Sequence, residues 1–225
     1  MLQEIKTITF SGVNCYLINA GGNFILIDSG FARSRKDIGK ELENSGCRPG
    51  NLKLIFITHG DPDHTGNAAY FKSKFGAKIA MNKADSGTAE RGDLLGSRNV
   101  NAFVKLMARM LSYVPSMGLR KSDRFKTDLF VEDGWDFPGY GFDARALYIP
   151  GHSNGSMGVL TANGDLFCGD LLVNRTKPAF SPIYIEKRVA NTSVEKLKKL
   201  NVNTVYPGHG KPFRWDEFLK NKHEG

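Results

Sequence analysis

Four of the five histidines in this 225-residue chain occur beside aspartate or glycine, and their pattern is the strongest constraint on how the chain folds. His59 and His64 begin and end the stretch HGDPDH, whereas His152 and His209 each follow a Pro-Gly pair much later in the chain. Imidazole and carboxylate groups are natural ligands of zinc, iron and manganese. A fold that gathers these distant residues would form a metal site, and the ligands suffice for more than one ion.

Predicted strands lead to these ligands. Residues 52–58 form an apolar run, which is typical of a strand buried on both faces and would place His59 at the end of a sheet. Ligands at the end of a buried strand are held by the sheet, which suits a rigid metal site. Similar patterns predict the remaining strands at 5–10, 13–19, 24–28, 77–81, 143–149, 157–161, 166–168 and 202–206.

Helices are predicted between these strands. Two capping boxes, Ser34-x-x-Asp37 and Thr192-x-x-Glu195, indicate helix starts, and residues 65–75 indicate a further helix. The inward-facing positions of the two capped helices are Ile38, Leu42, Val194, Leu197 and Leu200. Because strands and helices alternate in two similar halves, we predict an α/β fold, a four-layer α/β/β/α sandwich with the site at the shared edge.

We assign residues 1–225 to a single domain with a helical, lid-like insertion at about 83–127. Apolar residues recur there at intervals of three and four, as in an amphipathic helix, and Pro115 ends the pattern. Such a stripe either packs on its own domain or forms a lid whose methionines touch an apolar part of the substrate. The stripe consists of Val100, Phe103, Val104, Met107, Met110, Leu111 and Val114.

The charge balance bears on partners. A net charge of +8 and a pI near 9.4 favour anionic partners, and we expect a small-molecule substrate. The positive charge is diffuse, which disfavours nucleic acid as a partner but leaves it open. No membrane partner is expected, because no apolar stretch is long enough to span a bilayer. A homodimer is compatible with the sequence.

The cysteines and the first residues bear on the compartment. Cys15, Cys47 and Cys168 are few, odd in number and scattered, as expected for buried thiols in a reducing cytoplasm. The N-terminus lacks the basic start and apolar run of a signal peptide. A cytoplasmic protein is therefore expected.

Taken in order, these motifs resemble the metallo-β-lactamase superfamily over nearly the whole chain. The resemblance is closest to single-domain, glyoxalase II-like, metal-dependent hydrolases, and it implies two divalent metal ions, zinc first, with iron or manganese as alternatives. The matching segments are NCYLI at 14–18, ILIDSG at 25–30, HGDPDH at 59–64, PGHS at 150–153, FCGD at 167–170 and YPGH at 206–209.

The resemblance implies a role for each ligand. His59 and His152, with Asp61, would hold the first ion, and Asp63, His64 and His209 would hold the second. Asp170 would bridge both ions. A hydroxide between two ions is a nucleophile at neutral pH, and it would attack an ester, thioester, lactone or phosphoester.

The resemblance also implies roles for Asp63 and Asp28. Asp63 would also orient the nucleophile, or act as general base if only one ion is present. Asp28 ends a predicted buried strand before Ser-Gly. It is either an outer residue that orients a ligand or an ordinary turn aspartate.

Asp61 departs from the family pattern, in which most hydrolases carry histidine. As a ligand it would add negative charge and shift the preference of the first site toward iron or manganese. Alternatively, its shorter side chain fails to reach the ion and leaves a weak first site. In the third interpretation, Asp61 is a solvated turn residue beside Pro62.

A carboxylate at this position also resembles the flavodiiron proteins, which carry glutamate there and reduce oxygen or nitric oxide at two irons. The alternative function is thus a di-iron oxidoreductase fed by an external flavoprotein. Asp61 is similar as well to competence-related, nuclease-like members of the superfamily, but the chain lacks a basic stripe interleaved with aromatic residues. A metal-poor binding protein without turnover is the third alternative.

Overall fold

The computed structural model describes residues 4–92, 103, 106, 107, 120–137, 139–182 and 187–223. The strands in these ranges are β1 (Glu4–Phe10), β2 (Val13–Ala20), β3 (Asn23–Ile27), β4 (Leu52–Phe56), β5 (Lys78–Met81), β6 (Leu129–Phe130), β7 (Ala144–Tyr148), β8 (Met157–Thr161), β9 (Asp165–Gly169), β10 (Leu172–Asn174), β11 (Pro178–Phe180), β12 (Thr204–Pro207) and β13 (Phe213–Arg214). The α-helices are α1 (Arg35–Asn44), α2 (Pro62–Thr65), α3 (Ala68–Phe75), α4 (Lys83–Arg91), α5 (Lys187–Leu197) and α6 (Trp215–His223).

The strands form two mixed sheets and a hairpin. The first sheet has the order β1-β2-β3-β4-β5-β6, antiparallel up to β3 and parallel from β3 onward. The second has the order β13-β12-β9-β8-β7, in which only the β12–β9 pair is parallel. Strands β10 and β11 form the separate hairpin. Each sheet thus contains parallel strands whose carboxyl ends can carry ligands to a common edge.

Alternation along the strands sorts the apolar side chains into three layers of core. One face of the first sheet packs on α1 and α3, through residues such as Leu26, Ile38 and Phe71. Its other face packs on the second sheet, where Phe56 and Phe167 belong to one cluster. The far face of the second sheet packs on α5 and α6. Three cores between four layers confirm the predicted α/β/β/α sandwich.

The predicted start of α1 is confirmed, because Ser34 is its N-cap residue, whereas three other details of the predicted helices are wrong. The side chain of Ser34 does not cap α1, because its hydroxyl lies 3.2 Å from that of Ser11. Thr192 lies inside α5, where its hydroxyl donates to the Arg188 carbonyl. The helix predicted at 65–75 is divided into α2 and α3, because the Asn67 side chain donates to main-chain carbonyls of the strand-end turn that follows β3.

Most of the amphipathic stripe lies outside the described residues, including Val100, Val104, Met110, Leu111 and Val114. Phe103 and Met107 are described, and they are 71% and 42% exposed. Both interpretations of the stripe, packing and lid, stay predictions. The single-domain and lid assignments remain predictions.

All three cysteines are buried and free, as the sequence predicted. Among the described residues, no helix is both long and apolar enough to cross a bilayer.

Candidate metal centre

The structure brings the seven predicted ligands to one edge shared by the two sheets. His59 follows β4, Asp170 follows β9 and His209 follows β12, while His152 lies in the turn after β7. The imidazole rings of His59 and His64 have centroids 4.1 Å apart, and those of His59 and His152 are 4.5 Å apart. The rings of His64 and His209 have centroids 5.5 Å apart, so the four imidazoles form a single cluster.

The ligand atoms divide into two groups joined by Asp170. The first group comprises His59, Asp61 and His152, and the second comprises Asp63, His64 and His209. Asp170 is close to His59 and His64, so its carboxylate lies where it can reach both groups. This is the arrangement that the bridging role of Asp170 requires.

Distances within the second group and to Asp170 suit a shared cation. Asp63 Oδ2 lies 3.3 Å from His209 Nε2 and 3.7 Å from His64 Nε2. The two Asp170 oxygens lie 3.4 Å from His64 Nε2 and 3.2 Å from His209 Nε2. Ligands bound to one zinc ion at about 2.0–2.2 Å lie roughly 3–4 Å from one another, so each of these distances is compatible with joint coordination.

Asp61 reaches the first group. Its Oδ2 lies 3.0 Å from His152 Nε2 and 3.7 Å from His59 Nε2. Asp61 occupies the N-cap position of α2, but its side chain makes no capping hydrogen bond. The geometry therefore argues against both a solvated turn residue and a side chain too short to reach. Its role as a ligand remains a prediction.

Asp28 orients two of the histidines from the end of β3. Its carboxylate accepts hydrogen bonds from His64 Nδ1, the Thr58 main-chain nitrogen and the Thr58 hydroxyl, each 2.8 Å long. Because the Thr58 hydroxyl donates to Asp28, it accepts from His59 Nδ1 at 3.0 Å. The backbone of Asp28 has φ +60°, a conformation that aspartate tolerates better than most residues. Asp28 thus ends the strand and orients ligands at once.

The turn that carries His209 is held by the first half of the chain. The Gly12 carbonyl accepts from His209 Nδ1 at 2.8 Å, which directs Nε2 toward the cluster. Asn14 Nδ2 and the Tyr16 hydroxyl both donate to the Pro207 carbonyl. At Gly208 a side chain would collide with the Asp170 carboxylate and approach His64 Cε1 to 2.7 Å, so only glycine fits there.

The orientation of these groups fits metal ions. The Nδ1 atoms of His59, His64 and His209 face hydrogen-bond acceptors, and this leaves Nε2 for a ligand bond, as is usual for metal-binding histidines. His64 Nε2 and Asp170 Oδ1 are buried and make no hydrogen bond within the described residues. Buried polar atoms that make no hydrogen bond are costly, and coordination would satisfy both.

The carboxylates of the site favour positive charge. Burial lowers the pKa of His64, but the carboxylates of Asp63, Asp170 and Asp28 raise it well above its ordinary value. Burial also lowers the pKa of His209, yet hydrogen bonds with Asp170 and Asp63 raise it to about 9. Protons therefore balance the carboxylates in the metal-free site, and bound cations would take over that role.

Comparison with known proteins settles the family. The family profile of the metallo-β-lactamase superfamily matches residues 8–209. The chain belongs to this superfamily. An archaeal metallo-β-lactamase superfamily protein of Sulfolobus tokodaii shares the fold, with a TM-score of 0.71 at 20% identity, over 100% of this chain and 86% of that one.

Curated relatives of the superfamily are distant. A beta-lactamase-like protein 2 homolog of Caenorhabditis elegans is 24% identical over 90% of this chain and 57% of its own length. Hydroxyacylglutathione hydrolase GloC of Haemophilus influenzae is 28% identical over 75% of this chain and 71% of its own length. The chain spans 57% and 61% of the first two curated relatives that it matches. The likeness to GloC is consistent with the glyoxalase II-like resemblance.

Proposed function

We propose that this protein is a metal-dependent hydrolase whose two metal ions are held by the seven clustered residues. The observation that carries the proposal is the convergence of four imidazoles and three carboxylates, in which hydrogen bonds at Nδ1 orient three of the imidazoles. Such preorganisation orients ligands before an ion arrives and raises metal affinity. Membership of the superfamily supports the same conclusion.

Two divalent ions, when bound, would supply a hydroxide nucleophile at neutral pH and stabilise the charge that develops on the substrate oxygen. The residues of the chain would position that chemistry. Asp63 is the proposed catalytic residue, because its carboxylate is in the second group and is 19% exposed, so it can accept a proton at Oδ1 or Oδ2 from an incoming group. Asp28 would hold the rings of His59 and His64 in place.

The proposed substrate is a small, anionic ester, thioester, lactone or phosphoester. The net charge of +8 supports an anionic substrate, because a positive field raises its local concentration. The name of the relative GloC describes hydrolysis of an acyl-glutathione, which is a thioester, and this supports the thioester class.

The contact of Asp61 with the first group favours a second candidate, a di-iron oxidoreductase that receives electrons from an external flavoprotein. With Asp61, Asp63 and Asp170, the site holds three carboxylates near two groups of imidazoles. Additional hard oxygen ligands lower the electrophilicity of the ions and suit iron or manganese. Metal identity therefore discriminates the two candidates.

The first test is metal content, measured by inductively coupled plasma mass spectrometry on protein purified without a metal-affinity tag. We expect about two ions per chain. Zinc or manganese would lead to a screen of esters and thioesters, whereas iron would add assays of oxygen and nitric oxide reduction. Less than one ion per chain, even after incubation with each metal, would contradict the proposal and favour a binding protein.

Replacing Asp61 by histidine should move the metal preference toward zinc. Asp61→His exchanges a hard oxygen ligand for an imidazole and removes one negative charge from the first group. Competition between zinc and iron or manganese, read by metal analysis, should show a zinc fraction higher than in the unmodified protein. Asp37→His, on the exposed side of α1, is the control for an added histidine. An identical metal profile for Asp61→His would mean that Asp61 is not a ligand.

A further inference from the structure

A buried carboxylate outside the ligand set joins the two turns that form the first group. Asp85 lies in the first turn of α4 and is 1% exposed. Its Oδ2 accepts from the Gly60 main-chain nitrogen at 2.8 Å and from the Ser153 hydroxyl at 2.7 Å. Its Oδ1 accepts from the Gly155 main-chain nitrogen at 2.8 Å. One side chain thus connects segments that are distant in sequence.

Two of the donors to Asp85 are sequence neighbours of the proposed ligands. Gly60 lies between His59 and Asp61, and Ser153 directly follows His152. His59, Asp61 and His152 are the three members of the first group. The separation of His59 and Asp61 from His152 therefore depends on the two backbone turns that Asp85 holds together.

Helix α4 packs so closely on the two turns that only glycine fits at the contact points. A Cβ atom at Gly155 would lie 2.5 Å from Asp85 Oδ1, and one at Gly60 would lie 2.9 Å from the Cβ of Thr88 on the same helix. Glycine at both positions lets α4 approach the two turns closely enough for direct hydrogen bonds. Any larger residue would push the helix away from the site.

The charge of Asp85 also needs an explanation. Burying a carboxylate is expensive unless its oxygens are fully hydrogen-bonded. The three hydrogen bonds given above come from neutral donors, two of them main-chain N–H groups on the ligand turns. A carboxylate is suited to this place because both of its oxygens accept, so that it can hold both turns simultaneously.

We infer that Asp85 is a positioning residue that sets the geometry of the first group and thereby the affinity for its ion. The inference rests on the proposed function, because it concerns an ion bound by His59, Asp61 and His152. The second group is held by other contacts, from Asp28 and from the Gly12 carbonyl. Asp85 therefore acts selectively on one of the two ions.

The test is Asp85→Asn. In either orientation of the amide, its NH2 group faces a main-chain N–H of Gly60 or Gly155, so one turn loses its acceptor. Zinc is titrated into the metal-free protein in competition with a chelator. We expect the dissociation constant of one ion to rise about tenfold or more, the usual effect of losing an outer contact of a metal site, while that of the other changes little.

Two further variants separate positioning from folding. Ser153→Ala removes one of the three hydrogen bonds and should weaken the same ion by a smaller factor. Asp123→Asn is the matched control, because Asp123 is another buried carboxylate whose side chain pairs with Arg35 at 2.6 Å. It should lower the melting temperature without changing either zinc constant.

Amide hydrogen exchange of the metal-free protein gives a readout that does not depend on zinc. The Gly60 and Gly155 amides should be protected, and Asp85→Asn should accelerate the exchange of at least one. Unchanged zinc constants in a folded Asp85→Asn variant, or equal weakening of both ions, would overturn the positioning role. Failure of the unmodified protein to bind zinc or any other divalent ion would instead overturn the proposed function, and the positioning role with it, even if the amides are protected.

Discussion

Asp170→Ala should abolish binding of two ions and reduce hydrolysis by at least about 100-fold. Loss of a residue that only hydrogen-bonds a metal ligand typically lowers metal affinity or activity about 10–100-fold. Asp170 is itself a proposed ligand, so its loss should have a larger effect. Its two oxygens lie 3.4 Å and 3.2 Å from the Nε2 atoms of His64 and His209. Metal analysis and turnover of a thioester substrate measure the two effects.

Asp165→Ala provides the matched control. Asp165 begins β9, whereas Asp170 follows the other end of the same strand. We expect this variant to retain both ions and to hydrolyse substrate within about twofold of the unmodified protein, because Asp165 lies at the end of β9 that is remote from the ligands. Unchanged metal content in Asp170→Ala would show that Asp170 does not bridge the ions.

Asp28→Ala should have the largest effect on stability. The substitution leaves His64 Nδ1, the Thr58 nitrogen and the Thr58 hydroxyl without their acceptor in a buried region. Breaking a buried, charged hydrogen-bonded pair typically costs about 3–5 kcal/mol. For a chain of this size that lowers the melting temperature by roughly 10 °C. Thermal unfolding of the metal-free protein measures the loss without a contribution from bound ions.

Two variants test the cause of that effect. Asp28→Asn keeps a side chain that tolerates positive φ and retains one acceptor, so it should lose less stability than Asp28→Ala. Asp37→Ala removes an exposed carboxylate from α1 and should change the free energy of unfolding by about 0.5 kcal/mol or less. A melting temperature for Asp28→Ala equal to that of Asp37→Ala would contradict the structural role assigned to Asp28.

The sequence predicts the strands and the four layers well because their signals are local or periodic. The apolar run before His59 and the segment at 157–161 both form strands with mostly buried residues. Helix boundaries fail where tertiary contacts override local patterns. Ser34 is the N-cap residue of α1, as predicted, but its hydroxyl pairs with Ser11 and does not cap the helix. Asn67 divides a predicted helix by binding carbonyls of another segment.

The candidate ligands follow from residue type and spacing, whereas the contacts that orient them do not. Asp85 has no distinguishing signal, because an aspartate in the first turn of a helix is ordinary. Asn14 and Tyr16 read as parts of a buried strand, although their side chains hold the Pro207 carbonyl. Such contacts join residues that are far apart in sequence, and only the fold reveals them.

The placement of ligands on both sheets has a mechanical consequence. Ions in the two groups would cross-link the turn at 59–64 to positions 152, 170 and 209 and so close long loops of the chain. The three cysteines are free, so the described structure has no covalent cross-link of that kind. Closing long loops lowers the entropy of the unfolded chain, as a disulfide does. The ions would therefore stabilise the fold reversibly. Chelation would lower the stability of the contact between the two halves of the sandwich as well as disrupt the site.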